Sequence, residues 1–175
     1  YGINMSTDIF TNVTLPADSN SKVSIRTYEN LGSNRETYFR GMAAIPPGKV
    51  YFFVIGAQYN HNAYDGVYDK KPLQFERGTW SFFTYHSIKF SPITQLTING
   101  FARFKGQMQL YELGPFGALN VSLNQQFLKK KLSVNISMKD LFYTYNNEFI
   151  LDEGSVKASG YGKSDSRRFG VNVRY

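Results

Sequence analysis

Residues 117–139 read GALNVSLNQQFLKKKLSVNISMK, and their period decides the fold class. Leu119, Val121 and Leu123, then Leu132, Val134, Ile136 and Met138, take every second position, with Asn120, Ser122, Asn124, Ser133, Asn135 and Ser137 between them. A pleated strand sends successive side chains to opposite faces, whereas a helix would scatter both sets around its circumference. The stretch therefore predicts two strands, each with one apolar and one uncharged polar side, joined by a turn at Leu128 to Lys130. The last nine residues repeat the scheme, with Phe169, Val171, Val173 and Tyr175 opposed by Arg168, Gly170, Asn172 and Arg174. Thr94 to Phe104 does so too, with Leu96, Ile98, Ala102 and Phe104 against Thr97, Asn99 and Arg103, although Phe101 interrupts the polar side.

Further toward the N-terminus the alternation is blurred, because Tyr51 to Ile55 are apolar at every position. Density of β-branched and aromatic residues, with the punctuation between them, still predicts strands over 3–14, 22–44, 50–60 and 79–91. A single strand over 22–44 would far exceed a bilayer's hydrocarbon thickness at about 3.3 Å per residue, so it either projects into water or breaks near Asn30–Asn34. The count is eight strands, or nine with the break.

Composition narrows the class further. The chain has 175 residues, 42% hydrophobic and 17% aromatic, which fits one folded domain and excludes intrinsic disorder. With no Cys there is no disulfide framework, thiolate zinc site or cysteine nucleophile. The longest stretch without polar side chains, Val50 to Ala57, is much shorter than the ~20 residues of a membrane-spanning helix, and no basic-then-apolar leader opens the chain. A soluble β-sandwich or barrel and a piece of a membrane β-barrel remain. The connections favour the latter. Ile45–Lys49, Ser91–Ile93 and Leu128–Lys130 are short; His61–Gly78, Lys105–Phe116 and Phe142–Ser166 are long; and the two kinds alternate. Membrane barrels have short turns on one side, longer loops on the other, and strands with an apolar outward face.

The wording of the sequence adds a resemblance. Asn120 to Phe142 is similar to the penultimate hairpin of TonB-dependent outer-membrane receptors of the Bacteroidetes type: a strand, a turn of the FLxKKL kind at Phe127–Leu132, and a second strand ending at Asp140-Leu-Phe142. Ser166 to Tyr175, SRRFGVNVRY, resembles that family's terminal strand, and Tyr28-Glu-Asn-Leu-Gly32 its YxNxG segment before a long strand. The likeness covers nearly the whole chain in order. It implies that residues 1–175 are the C-terminal part of one transmembrane barrel domain, about eight antiparallel strands of a 22-stranded barrel. The plug and the N-terminal strands lie outside this chain. It further implies a Gram-negative outer-membrane location with a periplasmic C-terminus, energy-coupled import of a nutrient (sugar, peptide or metal chelate), and no enzymatic activity. The partners it implies are outer-membrane lipid, TonB acting through the plug, and the outer-membrane assembly machinery, and it leaves a surface lipoprotein lid open. Family members commonly end one or two residues later, on Phe, so Tyr175 stands in as the terminal aromatic or the chain stops short.

The expected site residues follow. The lipid-facing set is Leu96, Ile98, Leu119, Val121, Leu123, Leu132, Val134, Ile136, Met138, Phe169, Val171 and Val173; in a sandwich the same residues would be the inner core. The resemblance makes Phe169, Val171, Val173 and Tyr175 the C-terminal assembly signal. Trp80, Phe90, Phe104, Phe127 and Tyr175 are candidates for interface girdles. In the long loops, Tyr64, Asp65, Tyr68 and Asp69, then Tyr143, Tyr145, Asn147, Asp152, Glu153 and Tyr161, combine aromatic rings with carboxylates and amides, which suits sugars or peptides through stacking and hydrogen bonds. No cofactor and no metal site is expected, since His61 and His86 are the whole histidine complement. The net charge of +7 and the Lys129–Lys131 triplet raise nucleic acid, but the triplet sits at a hairpin tip and no nucleic-acid partner is expected. Gly162-Lys163-Ser164 mimics the end of a phosphate loop without its earlier glycine or following helix. The rivals are a soluble extracellular sandwich binding through the 61–78 and 142–166 loops, and a complete small eight-stranded outer-membrane barrel serving as anchor or adhesin.

Overall fold

A computed structural model describes residues 1–17, 23–108, 110–152 and 157–175; Lys22 and Glu153, which figured in the expectations above, lie outside them. The chain is all-β. Its strands are β1 (Gly2–Ser6), β2 (Phe10–Pro16), β3 (Ser24–Asn30), β4 (Ser33–Ile45), β5 (Tyr51–Tyr68), β6 (Lys71–Ser91), β7 (Thr94–Arg103), β8 (Gly106–Met108), β9 (Tyr111–Leu113), β10 (Phe116–Phe127), β11 (Leu132–Lys139), β12 (Asn146–Leu151), β13 (Ala158–Lys163) and β14 (Arg168–Arg174). Eight of them form one antiparallel sheet in the order β1-β4-β5-β6-β7-β10-β11-β14, so neighbours in space follow each other along the chain. The outer edges of β1 and β14 are not paired to one another. The remaining strands form a four-stranded sheet, β13-β12-β9-β8, and the β2–β3 hairpin.

The pairing register gathers the alternating residues into rows. Tyr51, Ile88, Leu96, Leu123, Ile136 and Val171 stand side by side across six strands. The next row holds Ile45, Phe53, His86, Ile98, Val121, Met138 and Phe169. Val134 pairs with Val173, Leu119 with Gly100, and Leu132 with Phe127. All twelve residues expected to face lipid thus share one face. Among the described residues no second sheet is stacked on it: Phe169 is 71% and Val171 57% exposed, and Ile136 and Leu123 about two-fifths. The two-layer packing that would make this a soluble sandwich, with Leu119, Val134 and Val171 interleaved between sheets, is not what the chain forms. At about 3.3 Å per residue and the ~40° tilt of membrane barrels, the 12 residues of β10 rise about 30 Å, enough for an apolar band about 25 Å tall.

The short connections after β4, β6 and β10 lie at one end of the sheet and the long excursions at the other. Two expectations change here, and the alternative left open for 22–44 is decided in favour of the break. His61–Gly78 is not a loop: β5 and β6 continue through it, pairing from Tyr51↔Ile88 up to Tyr68↔Lys71, and turn at Asp69 and Lys70, both with positive φ (51° and 59°). Paired φ > 0 residues match the right-handed twist of the flanking strands. The expected 3–14 strand is broken at Asp8 (φ 54°), and the 22–44 segment breaks after Asn30. At the second break Gly32 has φ 95°, and a Cβ there would lie 2.5 Å from the Asp65 carbonyl oxygen, so only glycine lets the chain pass this close to β5. Within Lys105–Phe116 and Phe142–Ser166 lie β8, β9, β12 and β13.

These excursions fold against one another. Val13, Leu31, Tyr68, Leu73, Leu110 and Leu151 form a buried cluster, with Leu15, Phe75 and Tyr111 packed around it. Every buried hydrophobic residue among those described belongs to this cap, and none to the lower part of the eight-stranded wall.

Candidate functional site

The face opposite the apolar rows is where polar chemistry collects. Asn120 donates to Asn99 (2.9 Å), Asn124 to Ser133 (3.0 Å) and Gln95 to Ser87 (2.9 Å). On the same face, toward the β1 edge, Arg40 donates to Gln58, Gln58 to Asn60, and Asn60 and Asn4 to the two carboxylate oxygens of Glu36. Amides opposite one another satisfy each other across strands, and Lys89, Arg103, Lys139, Arg168 and Arg174 share their face by register, so the face is polar and net basic, a lining suited to water.

Toward the long-hairpin end this face becomes aromatic. Phe101, Phe116 and Tyr145 meet edge-to-face, with ring centroids 5.7, 6.0 and 6.2 Å apart. The Arg103 guanidinium lies 4.8 Å from the Phe116 ring centre, and its Nε and Nη2 are buried without a hydrogen-bond partner. Directly below are Asn99 and Asn120. Flat apolar rings beside amides and an unsatisfied guanidinium suit a ligand that stacks and accepts hydrogen bonds, a sugar ring or a peptide carbonyl among them. A second polar group sits higher, where Glu112 on β9 takes Arg77 of β6 and Lys105 together. Hydrogen bonding from Lys105 first, and from Arg77, holds the Glu112 carboxyl below the usual range against a smaller opposing effect of burial.

Tyr145 stands in the aromatic trio because of the turn before it. Asp140 (φ 47°) is 2% exposed and ends β11. Its carboxylate accepts from the backbone N–H groups of Thr144 and Tyr145 (2.9 and 3.2 Å) and from the Ser166 hydroxyl, while its own N–H donates to Asn120. Burial by itself would raise this carboxyl's pKa, but the hydrogen bonds from Ser166, Thr144 and Tyr145 win and lower it. Thr144 then binds the Gly117 carbonyl oxygen through its hydroxyl (3.0 Å), tying the turn to β10.

The other sequence-predicted residues are spread out. Tyr64 stacks on Phe75 (4.7 Å) within the β5–β6 hairpin, and Asp65 lies beside it opposite Gln74. Tyr68 does not present its ring to solvent: it is 2% exposed in the cap core, donates to the Thr14 carbonyl oxygen, and burial raises its phenol pKa. Asp69 forms the hairpin turn; Asn147 pairs with Gly162 and Tyr161 with Glu148 in the β12–β13 ladder; Asp152 is ion-paired with Lys157 (2.6 Å). Tyr143 carries Lys163 and Arg167 over its ring, at 4.0 and 5.1 Å. The cap core draws the three long excursions together through Tyr68, Leu73, Leu110 and Leu151, yet their expected ligand residues do not converge on one pocket. Phe169, Val171, Val173 and Tyr175 run along the apolar side of the free-edged β14 and beyond it. Among the described residues, no group of three His, Asp or Glu side chains stands close enough to hold a metal ion. His86, inside the apolar rows, is instead satisfied by the Tyr51 hydroxyl and the Thr84 hydroxyl, each at 2.6 Å.

Sequence reading missed Arg103, Glu112 and the organising part of Asp140. Arg103 had a signal, a lone cation within a strand of otherwise uncharged residues; Glu112 had none, because its partners are 35 and seven positions away.

No curated protein and no solved structure matches the chain. The family comparison speaks to all of it, and it agrees with a one-sided apolar sheet that has short turns at one end and long hairpins at the other. The model of the outer membrane protein beta-barrel family matches residues 1–175, and the chain belongs to that family.

Proposed function

We propose that this chain is the C-terminal wall of a TonB-dependent outer-membrane receptor of the Bacteroidetes type, one that imports a sugar, peptide or metal chelate in an energy-coupled way. The observation that carries the reading is the two-faced open sheet, whose apolar rows have no protein layer over them and whose opposite face is lined with paired amides. The apolar face contacts lipid. The polar face lines the lumen, and the long-hairpin end faces the cell exterior, which leaves the C-terminus periplasmic. Phe101, Arg103, Phe116 and Tyr145 form part of the ligand's path at the outer mouth, with the cap standing beyond them. These residues bind and guide; the force comes from TonB through the plug, outside this chain. β14 supplies the strand that the assembly machinery reads, and a surface lipoprotein lid is a partner the cap would meet.

The test is uptake in cells producing the full-length protein, screened over labelled oligosaccharides, peptides and metal chelates. The reading expects uptake of one class, lost on depletion of TonB and lowered by Phe101→Ala/Tyr145→Ala. Uptake that persists without TonB, or no uptake of any class, would reject the receptor role while leaving the outer-membrane barrel intact.

A further inference from the structure

The outward face carries a groove of about 560 Å³, within the about 300–1,000 Å³ typical of small-molecule sites. Its floor is Gly100, Ala102 and Gly117, which rise little or not at all above the sheet; a Leu119 methyl leans over Gly100, Gly117 is buried, and Phe82 and Phe104 stand around them. Five of these six belong to the apolar face by register, and Phe104 follows β7 with its N–H donating to the Trp80 carbonyl oxygen. The opposite-face residues of the sheet that complete the lining are Phe83, Phe101, Arg103, Phe116 and Ala118, three of them shared with the aromatic site of the other face and each adjacent in sequence to an outward residue. The outward-facing floor places the groove on the apolar side of the sheet. Its height is set by Trp80, which pairs with Tyr59 and stacks on Phe82 (5.8 Å), a row of rings at the upper margin of the apolar band.

The rim is chemically different. Phe142 and Tyr143 close the upper side, and over the Tyr143 ring lie the Lys163 ammonium and the Arg167 guanidinium. Both cations are exposed, and neither makes an ion pair among the described residues; Asp165, between them in sequence, makes none either. An apolar trough one row below the aromatic margin, with two unneutralised cations at its upper end, has the polarity of one acidic lipid: chain below, phosphate above.

We propose that this groove binds a phosphate-bearing lipid of the leaflet on the long-hairpin side, with an acyl chain over Gly100, Ala102 and Gly117 and the phosphate between Lys163 and Arg167. The inference rests on the proposed lipid-facing orientation of the apolar rows. Ala102 measures the chain, because a larger side chain there fills the trough from its floor; Lys163 and Arg167 measure the headgroup.

The experiment is native mass spectrometry of the full-length protein in phosphatidylcholine nanodiscs doped with phosphatidic acid or with diacylglycerol of the same chains. The wild type retains phosphatidic acid over diacylglycerol by about tenfold, the scale of one to two basic contacts to an anionic headgroup. Ala102→Phe lowers retention of both lipids. Lys163→Gln/Arg167→Gln, at exposed positions remote from the fold's core, erases the preference between them. Equal retention of the two lipids by the wild type overturns the proposal, as does indifference to either variant, or a protein chain in the groove that Ala102→Phe displaces. Failure of the underlying orientation shows separately, as full-length protein recovered in the soluble fraction without detergent.

Discussion

The wall and the cap of this chain hold their apolar side chains in opposite ways. In the wall, rows such as Leu96, Leu123, Ile136 and Val171 lie open on one face, and the sheet is held by backbone ladders and cross-strand amides. In the cap, six hydrophobic residues from five separate stretches of the sequence are buried against each other, as in a small soluble protein. The difference teaches where each part gets its stability. In the proposed orientation the wall relies on a solvent that is itself apolar, which needs only a correct period in each strand, while the cap stands in water and must supply its own interior. A change that creates a void should therefore cost most in the cap, and a change that places a charge should cost most in the wall.

The largest expected effect follows from the first half of that statement. Leu31 is 1% exposed between the β2–β3 hairpin and the β5–β6 hairpin, so Leu31→Ala should cost about 2–5 kcal/mol of cap stability, the range of core leucine truncations. Hydrogen exchange should show lost protection in β2, β3 and the β5–β6 tip, with the ladders of β7, β10 and β11 unchanged. Lost protection across both regions would mean that they unfold as one unit.

The second half is tested by neighbours. Ile98 lies in the middle of the apolar band and Asn99 points to the other face. Ile98→Arg should lower folding in lipid by about 2–4 kcal/mol, and the same charge near the band's margin by about 0–1 kcal/mol, because the cost of a cation falls with its distance from the bilayer midplane. Asn99→Arg lies on the opposite, polar face and should cost only the hydrogen bond from Asn120, about 0.5–1.5 kcal/mol. The measurement is the folded fraction in lipid vesicles over a denaturant series. Equal costs at Ile98 and Asn99 would abolish the distinction between the faces.

What could be read in advance divides along the same line. The C-terminal wall was legible because a sheet with one apolar and one polar face imposes strict alternation, and Leu119 to Met138 obey it. The upper β5–β6 hairpin was not, because Asn60 to Gly78 mixes polar, aromatic and glycine residues without a period, and its turn is Asp69-Lys70 in place of the Asn-Gly or Asp-Gly that signals such a hairpin. The cap core was invisible for a further reason: Val13, Leu31, Leu110 and Leu151 are isolated in their own segments and acquire a common interior only when the long excursions dock. The aromatic trio was half legible. Tyr145 stood out by type and Phe101 as the exception on a polar strand, but only the buried Asp140 turn brings them together.

That turn makes the next prediction, one of pH. The Asp140 carboxyl has a lowered pKa in the folded chain, so the stability it contributes is present above the ordinary carboxylate pKa near 4 and is lost as pH falls through its lower folded value. Asp140→Asn should remove this acid-dependent component and cost about 1–3 kcal/mol by leaving buried N–H donors of Thr144 and Tyr145 poorly matched. Tyr145 fluorescence or exchange of the Thr144 amide between pH 5 and 2 reads it. An acid transition at the turn that persists unchanged in Asp140→Asn would assign it to another group.

The smallest effect is expected where the two regions join. Glu112 belongs to the cap, its partner Arg77 to the strand that continues down into the wall, and Lys105 to the segment between β7 and β8. The sign is again that of a lowered carboxylate: the contribution is complete above the unfolded pKa and disappears as pH falls through the folded one. Arg77 and Lys105 are partly or largely exposed, so solvent and salt weaken both bonds, and Glu112→Gln should cost only about 0.2–1 kcal/mol, less at high ionic strength. A double-mutant cycle with Arg77→Gln measures the coupling directly. A small, salt-sensitive coupling would leave the cap able to shift on a rigid wall, as the proposed entrance requires. A coupling of several kcal/mol, insensitive to salt, would instead make cap and wall one rigid body, and the contrast between the two regions would then be one of surroundings alone and not of independent stability.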